Sequence, residues 1–266
     1  MQVEQTRRRR LLVVQVAALG WSFLRGQTSD RMGGLTFSGL DTVLPALTCP
    51  VQASFRTGSY PVDHGMVANG LFDRTRRKVA FWEQSAGLVA GSRIWDKFRA
   101  GGRRVAMLFW QQSLGESVDI VLSPAPIHKH HGGMIQNCYG KPDSLYGELC
   151  RRLDGPFNLM HYWGPMASGR SSRWIARATC EVLAGCPEQP DLCLTYLPVL
   201  DYDLQRYGPD HARSRRAFAE LWSQLDMLRQ ACSRHGFELL VFGDYAIEQC
   251  RGGAVFPNRA LRGKGW

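Results

Sequence analysis

The chain has 266 residues, of which 44% are hydrophobic and 21% are charged. A chain of this length and composition can bury a full hydrophobic core, which excludes an intrinsically disordered protein. The formal net charge is +10, but four basic residues form the single run Arg7–Arg10, and zinc-finger, RNP and helix-turn-helix motifs are missing, so nucleic-acid binding is not expected.

The first apolar segment, Leu11–Ala17, follows the basic run and admits two interpretations. It could be the apolar region of a signal peptide, or a buried strand that is entered from a basic tail. We favour the strand because the segment is short, rich in β-branched residues and interrupted by Gln15. The sequence has no apolar stretch long enough to cross a bilayer, so we expect no membrane span.

A helix start near Thr48 supplies the candidate reactive residue. Pro50 fixes φ near its helical value, so we predict a short helix that opens at Cys49 and ends at Gly58. Thr48 would lie at its N-terminus, where free N–H groups and the helix dipole favour a bound phosphate and negative charge on the threonine oxygen. Local physics alone favours the alternative, an ordinary N-cap threonine.

The next elements predict one β-α-β step. We expect short strands at Gly65–Gly70 and Lys78–Trp82, a helix at Ser92–Arg99 that ends before a Gly-Gly pair, and a buried strand at Arg104–Trp110. Right-handed crossover connections of this kind make a parallel sheet the expected outcome.

Residues 117–165 have an irregular, proline-rich pattern, which we interpret as an insertion or a cap over the sheet edge. The histidines in the run His128–His131 could bind a metal, but their spacing does not preset a coordination geometry, so we favour an exposed polar loop. Tyr162 and Trp163 could line a pocket, although plain packing is the commoner role for aromatic residues.

The remaining chain contains the clearest elements. We predict a helix at Ser171–Leu183, a buried strand at Leu192–Leu200, a long helix at Ala212–His235 and a strand at Phe237–Phe242. Gly236 supplies the stop of the long helix.

Two aspartates come directly after predicted strands. Asp201 and Asp244 would lie outside the carboxyl ends of a parallel sheet, where ligands of open α/β folds bind. We therefore predict a metal site formed by these two residues, with Asp203 as a further oxygen ligand, and such a set suits magnesium or manganese. The alternative is that the aspartates only cap turns.

The eight cysteines form no C-x-x-C pair, and four of them fall in segments that we predict to be buried. We interpret them as reduced core thiols. This usage favours a reducing compartment, so we expect a cytoplasmic rather than a secreted protein.

The segment Pro45–Asp73 resembles the nucleophile segment of the nucleotide pyrophosphatase/phosphodiesterase family, in the alkaline phosphatase superfamily. The residues that support this resemblance are Pro45, Thr48, Pro50, Thr57, Gly58, Pro61, His64, Gly65 and Asn69. The resemblance implies an α/β fold with a mostly parallel central sheet, helices on both faces and an irregular inserted segment. It also implies a single domain over residues 1–266 that is incomplete at its C-terminus, because relatives place a further histidine ligand beyond it.

The resemblance further implies that Thr48 is a nucleophile, that zinc is the divalent metal, and that a small phosphate ester or nucleotide is the substrate. The chain departs from the family in three respects. The first strand ends without a metal-binding aspartate, and Val51 and Gln52 stand where relatives carry Asn and His. Gln205 and Tyr245 replace the histidines expected near Asp201 and Asp244.

Two functional hypotheses result. The first is a metal-dependent phosphodiesterase or nucleotide pyrophosphatase-like hydrolase that acts through Thr48. The second is a catalytically weak or inactive family member that serves as a binding module.

Overall fold

The computed structural model describes residues 9–28, 31–153 and 155–265, so part of the basic run, residues 7 and 8, lies outside the described residues. The strands are β1 (Arg10–Val16), β2 (Arg31–Met32), β3 (Leu35–Thr36), β4 (Gly70–Asp73), β5 (Lys78–Phe81), β6 (Val105–Leu108), β7 (Ile120–Pro124), β8 (Ile127–His128), β9 (Met134–Ile135), β10 (Cys138–Lys141), β11 (Leu192–Leu197) and β12 (Phe237–Gly243). The helices are α1 (Trp21–Gln27), α2 (Thr48–Thr57), α3 (Pro61–His64), α4 (Asp96–Ala100), α5 (Leu145–Arg152), α6 (Gly169–Leu183), α7 (Val199–Tyr207), α8 (Ala212–His235) and α9 (Pro257–Gly263).

Six of these strands form a central sheet in the order β10-β7-β6-β11-β1-β12. The strand β1 lies between β11 and β12 and runs parallel to both, and β6 and β7 continue the parallel arrangement. The edge strand β10 pairs with β7 in the antiparallel direction. The predicted mostly parallel sheet is therefore confirmed.

The residues of β1 show why helices cover both faces of the sheet. Leu12 and Val14 lie in one hydrophobic cluster with residues of α6 and α8, whereas Val13 lies in a second cluster that includes Trp95. Successive strand residues point to opposite faces, so a nearly continuous apolar run is buried throughout. The helix α2 covers the second face, where Phe55 stacks on Phe242 with ring centroids 4.9 Å apart.

Glycine ends two helices where the sequence predicts it. Gly58 and Gly236 adopt φ angles of 64° and 73°, which suit residues without a Cβ, and they follow α2 and α8 directly. The bounds of α8 agree with the predicted Ala212–His235.

Three predictions differ from the structure by three residues or more. The strand predicted at Leu192–Leu200 ends at Leu197, because Pro198 has no N–H for the ladder and is the N-cap residue of α7. The strand predicted at Gly65–Gly70 is wrong, since Gly65 has a φ of 77° and ends α3. The predicted helix at Ser92–Arg99 begins only at Asp96.

Residues 117–165, predicted as an insertion or cap, contribute β7 and β10 to the central sheet and also form the short hairpin of β8 and β9. Searching the described part of the chain for a helix both long and apolar enough to cross a membrane finds none.

Candidate functional site

Thr48 is the first residue of α2, and its side chain is 1% exposed. The N-cap interpretation is wrong, because Leu47 occupies the cap position and makes no side-chain cap bond. The Thr48 hydroxyl instead donates to Asp244 Oδ2 at 3.1 Å. Next to it, the Cys49 N–H donates to Asn69 Oδ1 at 3.0 Å. The start of α2 therefore presents a hydroxyl and a carboxamide together.

Asp244 follows the last residue of β12 and is 1% exposed. Its Oδ2 accepts from Gln15 Nε2 at 2.9 Å as well as from Thr48. Its Oδ1 accepts from the backbone N–H of Ala18 at 2.8 Å and from that of Tyr245 at 3.0 Å. Four donors thus hold one carboxylate in place.

A close approach between the ends of β1 and β12 positions this carboxylate. A Cβ on Gly243 would lie 2.2 Å from the carbonyl oxygen of Leu19, so only glycine fits there. Ala18 adopts a φ of 59°, an uncommon backbone conformation for a residue with a side chain. In this conformation the backbone N–H of Ala18 donates to Asp244. Backbone strain of this kind is often found at functional sites.

Burial raises the pKa of Asp244 to about 7, and the nearby Asp201 carboxylate acts in the same direction. The Ala18 N–H and the Thr48 hydroxyl oppose this shift because they stabilise the charged form. Asp244 can therefore exchange a proton near neutral pH.

Asp201 lies in the first turn of α7 rather than at a strand end, which corrects the predicted placement. Its Oδ1 accepts from the Tyr245 hydroxyl at 2.7 Å, and the Gln205 amide donates to both carboxylate oxygens at 2.9 Å. Burial raises the pKa of Asp201, and these two donors oppose that shift. Tyr245 therefore contacts both Asp201 and Asp244.

Asp203, the third predicted metal ligand, does not join this group. Its carboxylate lies 4.0 Å from Arg206, one turn along the same helix. Of the predicted histidine cluster, His130 and His131 are exposed, and the side chain of His128 lies outside the described residues.

The residues present do not fit the two-zinc arrangement that the resemblance implies. A zinc ion in a protein usually takes three or four His, Cys, Asp or Glu ligands. Over the described ranges, no group of three or more such side chains converges. The donors around Asp201 and Asp244 are instead an amide, a phenol, a hydroxyl and backbone N–H groups.

The buried face of α2 is joined to the loop after β6. Gln52 Oε1 accepts from the Gln111 N–H at 2.6 Å. Arg56 is fully buried and donates to the carbonyl oxygens of Gln111 and Gln112. Glu116 supplies the countercharge at 3.3 Å. These contacts fix the helix that bears Thr48, and the sequence gives no local signal for them.

A cavity of about 340 Å³ opens beside Asp201 at the same edge of the sheet. Its lining includes the aromatic residues Trp82, Tyr162, Trp163, Tyr196 and Tyr202, together with Gln111, Gln205 and Arg206. Two of these residues, Tyr162 and Trp163, are the candidate pocket residues for which the sequence favours plain packing. No sequence signal points to Gln111, whose side-chain amide donates to the Tyr162 hydroxyl at 3.0 Å.

A family model described as type I phosphodiesterase/nucleotide pyrophosphatase matches residues 31–266. A search of the curated proteins finds no match. Among solved structures, murine ectonucleotide pyrophosphatase/phosphodiesterase 5, in an inactive form in complex with AMP, is 17% identical with a TM-score of 0.60. That alignment covers 91% of this chain and 58% of the murine chain.

Phosphonoacetate hydrolase from Sinorhizobium meliloti 1021, in complex with phosphonoacetate, is 18% identical with a TM-score of 0.60. The alignment covers 90% of this chain and 56% of that one. The human ectonucleotide pyrophosphatase/phosphodiesterase 5 is also 18% identical and gives the same TM-score. The chain therefore spans less than two thirds of the length of these proteins, and the likeness shows the fold.

Proposed function

Because this chain belongs to the type I phosphodiesterase/nucleotide pyrophosphatase family of the alkaline phosphatase superfamily, we propose that it hydrolyses phosphate esters through Thr48. The observation that supports this proposal best is the buried Thr48 hydroxyl at the start of α2, 3.1 Å from a carboxylate oxygen of Asp244. This pair combines an attacking oxygen with a proton acceptor.

Phosphate binding follows from the position of Thr48. The dipole of the ten-residue helix favours an anion at its start. Free first-turn amides contribute little there, because Pro50 has no N–H and the Cys49 N–H is bonded to Asn69. Asn69 uses its carboxamide oxygen for the Cys49 N–H, so its NH₂ group supplies a further donor beside the helix start. Together these groups would hold the phosphoryl oxygens against Thr48.

The proposed reaction has two displacements at phosphorus. Asp244 accepts the Thr48 proton while the threonine oxygen forms its bond to phosphorus and the P–O bond to the leaving group breaks. The departing alkoxide or aryloxide takes a proton from solvent. Water then attacks the phosphothreonine, the bond between phosphorus and the threonine oxygen breaks, and Asp244 returns its proton to that oxygen. The attacking water loses a proton to solvent, and the phosphate product leaves. A proton acceptor with a pKa of about 7 suits catalysis near neutral pH.

The aromatic cavity beside Asp201 supports nucleotide-type esters as the substrate class. Trp163, which is only partly buried, offers a ring face on which a nucleobase could stack, and the buried Tyr162 packs against it with ring centroids 5.2 Å apart. A complex with AMP is described for the murine relative, and this agrees with the proposal.

Replacement of Thr48 tests the function. Thr48→Ala should lose turnover of bis(4-nitrophenyl) phosphate, whereas Thr48→Ser should keep part of it because the hydroxyl remains. Thr57→Ala is the matched control on the same helix, since the Thr57 hydroxyl bonds the Ala53 carbonyl and Ser59, away from the site. Equal rates for Thr48→Ala and wild type would reject Thr48 as the nucleophile.

A second candidate is a binding module with little turnover. The donors that already hold Asp201 and Asp244 favour it, because they leave the carboxylates without a cluster of metal ligands. This candidate predicts that AMP binds wild type and Thr48→Ala with similar affinity while neither protein turns over an aryl ester.

A further inference from the structure

Neutral donors surround both carboxylates of the candidate site. A carboxylate offers about four lone-pair positions. In Asp244 four donors match them at 2.8–3.1 Å, from Gln15, Ala18, Thr48 and Tyr245. A metal ion at Asp244 would have to displace at least one of these bonds in a site that is almost closed to solvent.

Asp201 is held in the same manner. Tyr245 donates its hydroxyl at 2.7 Å, and Gln205 donates its amide to both oxygens at 2.9 Å. Both donors direct a hydrogen toward the carboxylate, whereas a metal ligand would have to direct a lone pair toward the ion.

We propose that Tyr245 and Gln205 are positioning residues that hold Asp201 and Asp244 by hydrogen bonds, so that this edge of the sheet works without a bound metal ion. The one phenol joins the two carboxylates, because Tyr245 gives its backbone N–H to Asp244 and its hydroxyl to Asp201. The inference goes beyond the proposed function, since it concerns the metal content of the chain and not its turnover.

The test is metal analysis of the full chain. Wild-type protein is stripped with a chelator, equilibrated separately with zinc, manganese and magnesium, freed of unbound ion, and analysed for its elements. We expect less than about 0.2 zinc ions per chain, against the one or two of a zinc enzyme. We expect no change in melting temperature with any of the three ions.

The second part of the test introduces a zinc site by substitution. Residues 201 and 205 lie one turn apart on α7, so Gln205→His with Tyr245→His would place two imidazoles beside the two aspartates. We expect this double variant to bind about one zinc ion, which is the customary result for a mixed His and Asp set. The matched control, Gln205→Leu with Tyr245→Phe, removes the same donors without adding ligands and should bind none.

Circular dichroism and thermal melting establish that each variant is folded. Gln205→His alone lies on an exposed helix position and serves if the double variant does not fold, with an expected weak zinc-induced rise in melting temperature. Wild-type protein that retains one or more zinc ions, and loses them in Asp244→Asn or Asp201→Asn, would overturn the proposal. Histidine variants that bind no more zinc than the Leu/Phe control would also overturn it.

Discussion

The Thr48 hydroxyl donates to Asp244 Oδ2 at 3.1 Å, although 196 positions separate the two residues in the chain. The contact joins the start of α2 to the end of β12, both at the carboxyl edge of the parallel sheet. Its chemistry depends on burial, because a carboxylate in water would be fully ionised at neutral pH. Because burial shifts the pKa of Asp244, the free energy of unfolding should depend on pH, and this dependence can be measured.

Asp244 should make the chain less stable as the pH rises. Its pKa of about 7 in the folded state lies above the value of about 3.9 expected when unfolded, so the folded state binds the extra proton. The resulting stability is present below pH 4 and is lost as the pH rises through 7. This loss is at most on the order of 4 kcal/mol.

Urea unfolding at several pH values measures this effect. Asp244→Asn removes the titrating group, so the fall in the free energy of unfolding between pH 4 and pH 7 should be smaller in the variant than in wild type. Identical pH profiles for the two proteins would show that Asp244 has an ordinary pKa in the fold.

Arg56 should contribute strongly to stability. Its guanidinium is fully buried between α2 and the loop after β6, and its removal would leave two carbonyl oxygens without their donor. We expect Arg56→Ala to lower the free energy of unfolding by roughly 3–5 kcal/mol. The matched control is Arg152→Ala, because the ion pairs of Arg152 lie at the surface, where solvent screens them and they contribute little. Equal losses for the two variants would contradict the buried role.

Gly243→Ala should disturb the position of Asp244. The added methyl group would meet the Leu19 carbonyl at 2.2 Å, so β12 must move away from the turn that contains Ala18. We expect lower stability together with loss of turnover. Gly26→Ala is the control, because its Cβ meets nothing within 4 Å and alanine favours the helix by about 1 kcal/mol. A fully active Gly243→Ala variant would argue against this close approach.

Trp163 should select nucleotide-type esters. If a base stacks in the aromatic cavity, Trp163→Ala should raise KM for a 4-nitrophenyl nucleoside monophosphate about 5- to 100-fold. The KM for 4-nitrophenyl methyl phosphate, which has no base, should not change. Trp163→Phe keeps a ring and should behave like wild type. Equal effects on both substrates would mean that the tryptophan only supports the fold.

The sequence predicts elements with a strong periodic pattern and a clear stop. The helix Ala212–His235 agrees with its prediction because its apolar spacing is sustained over six turns and Gly236 ends it. Local patterns predict the end of an element less accurately where a proline changes the course of the backbone. The apolar pattern extends the strand that ends at Leu197 as far as Leu200, and so it predicts Asp201 at a strand end instead of on α7.

The site itself depends on contacts between distant parts of the chain. Thr48 and Asp244 can be chosen from motifs. The other donors to Asp244, Gln15 and Ala18, lie more than 220 positions before it. No periodicity links such residues. Only the pairing of β1 with β12 brings them together, and the sequence alone does not specify which strands are neighbours.

The most direct test of the proposed function is mass spectrometry of the chain, quenched during its reaction with bis(4-nitrophenyl) phosphate. Thr48 should form a bond to phosphorus and release one 4-nitrophenolate, so we expect the peptide that contains Thr48 to carry a 4-nitrophenyl phosphoryl group. The adduct should disappear after the substrate is consumed, and Thr48→Ala should not form it. An adduct on another residue, or turnover at the wild-type rate by Thr48→Ala, would contradict the account.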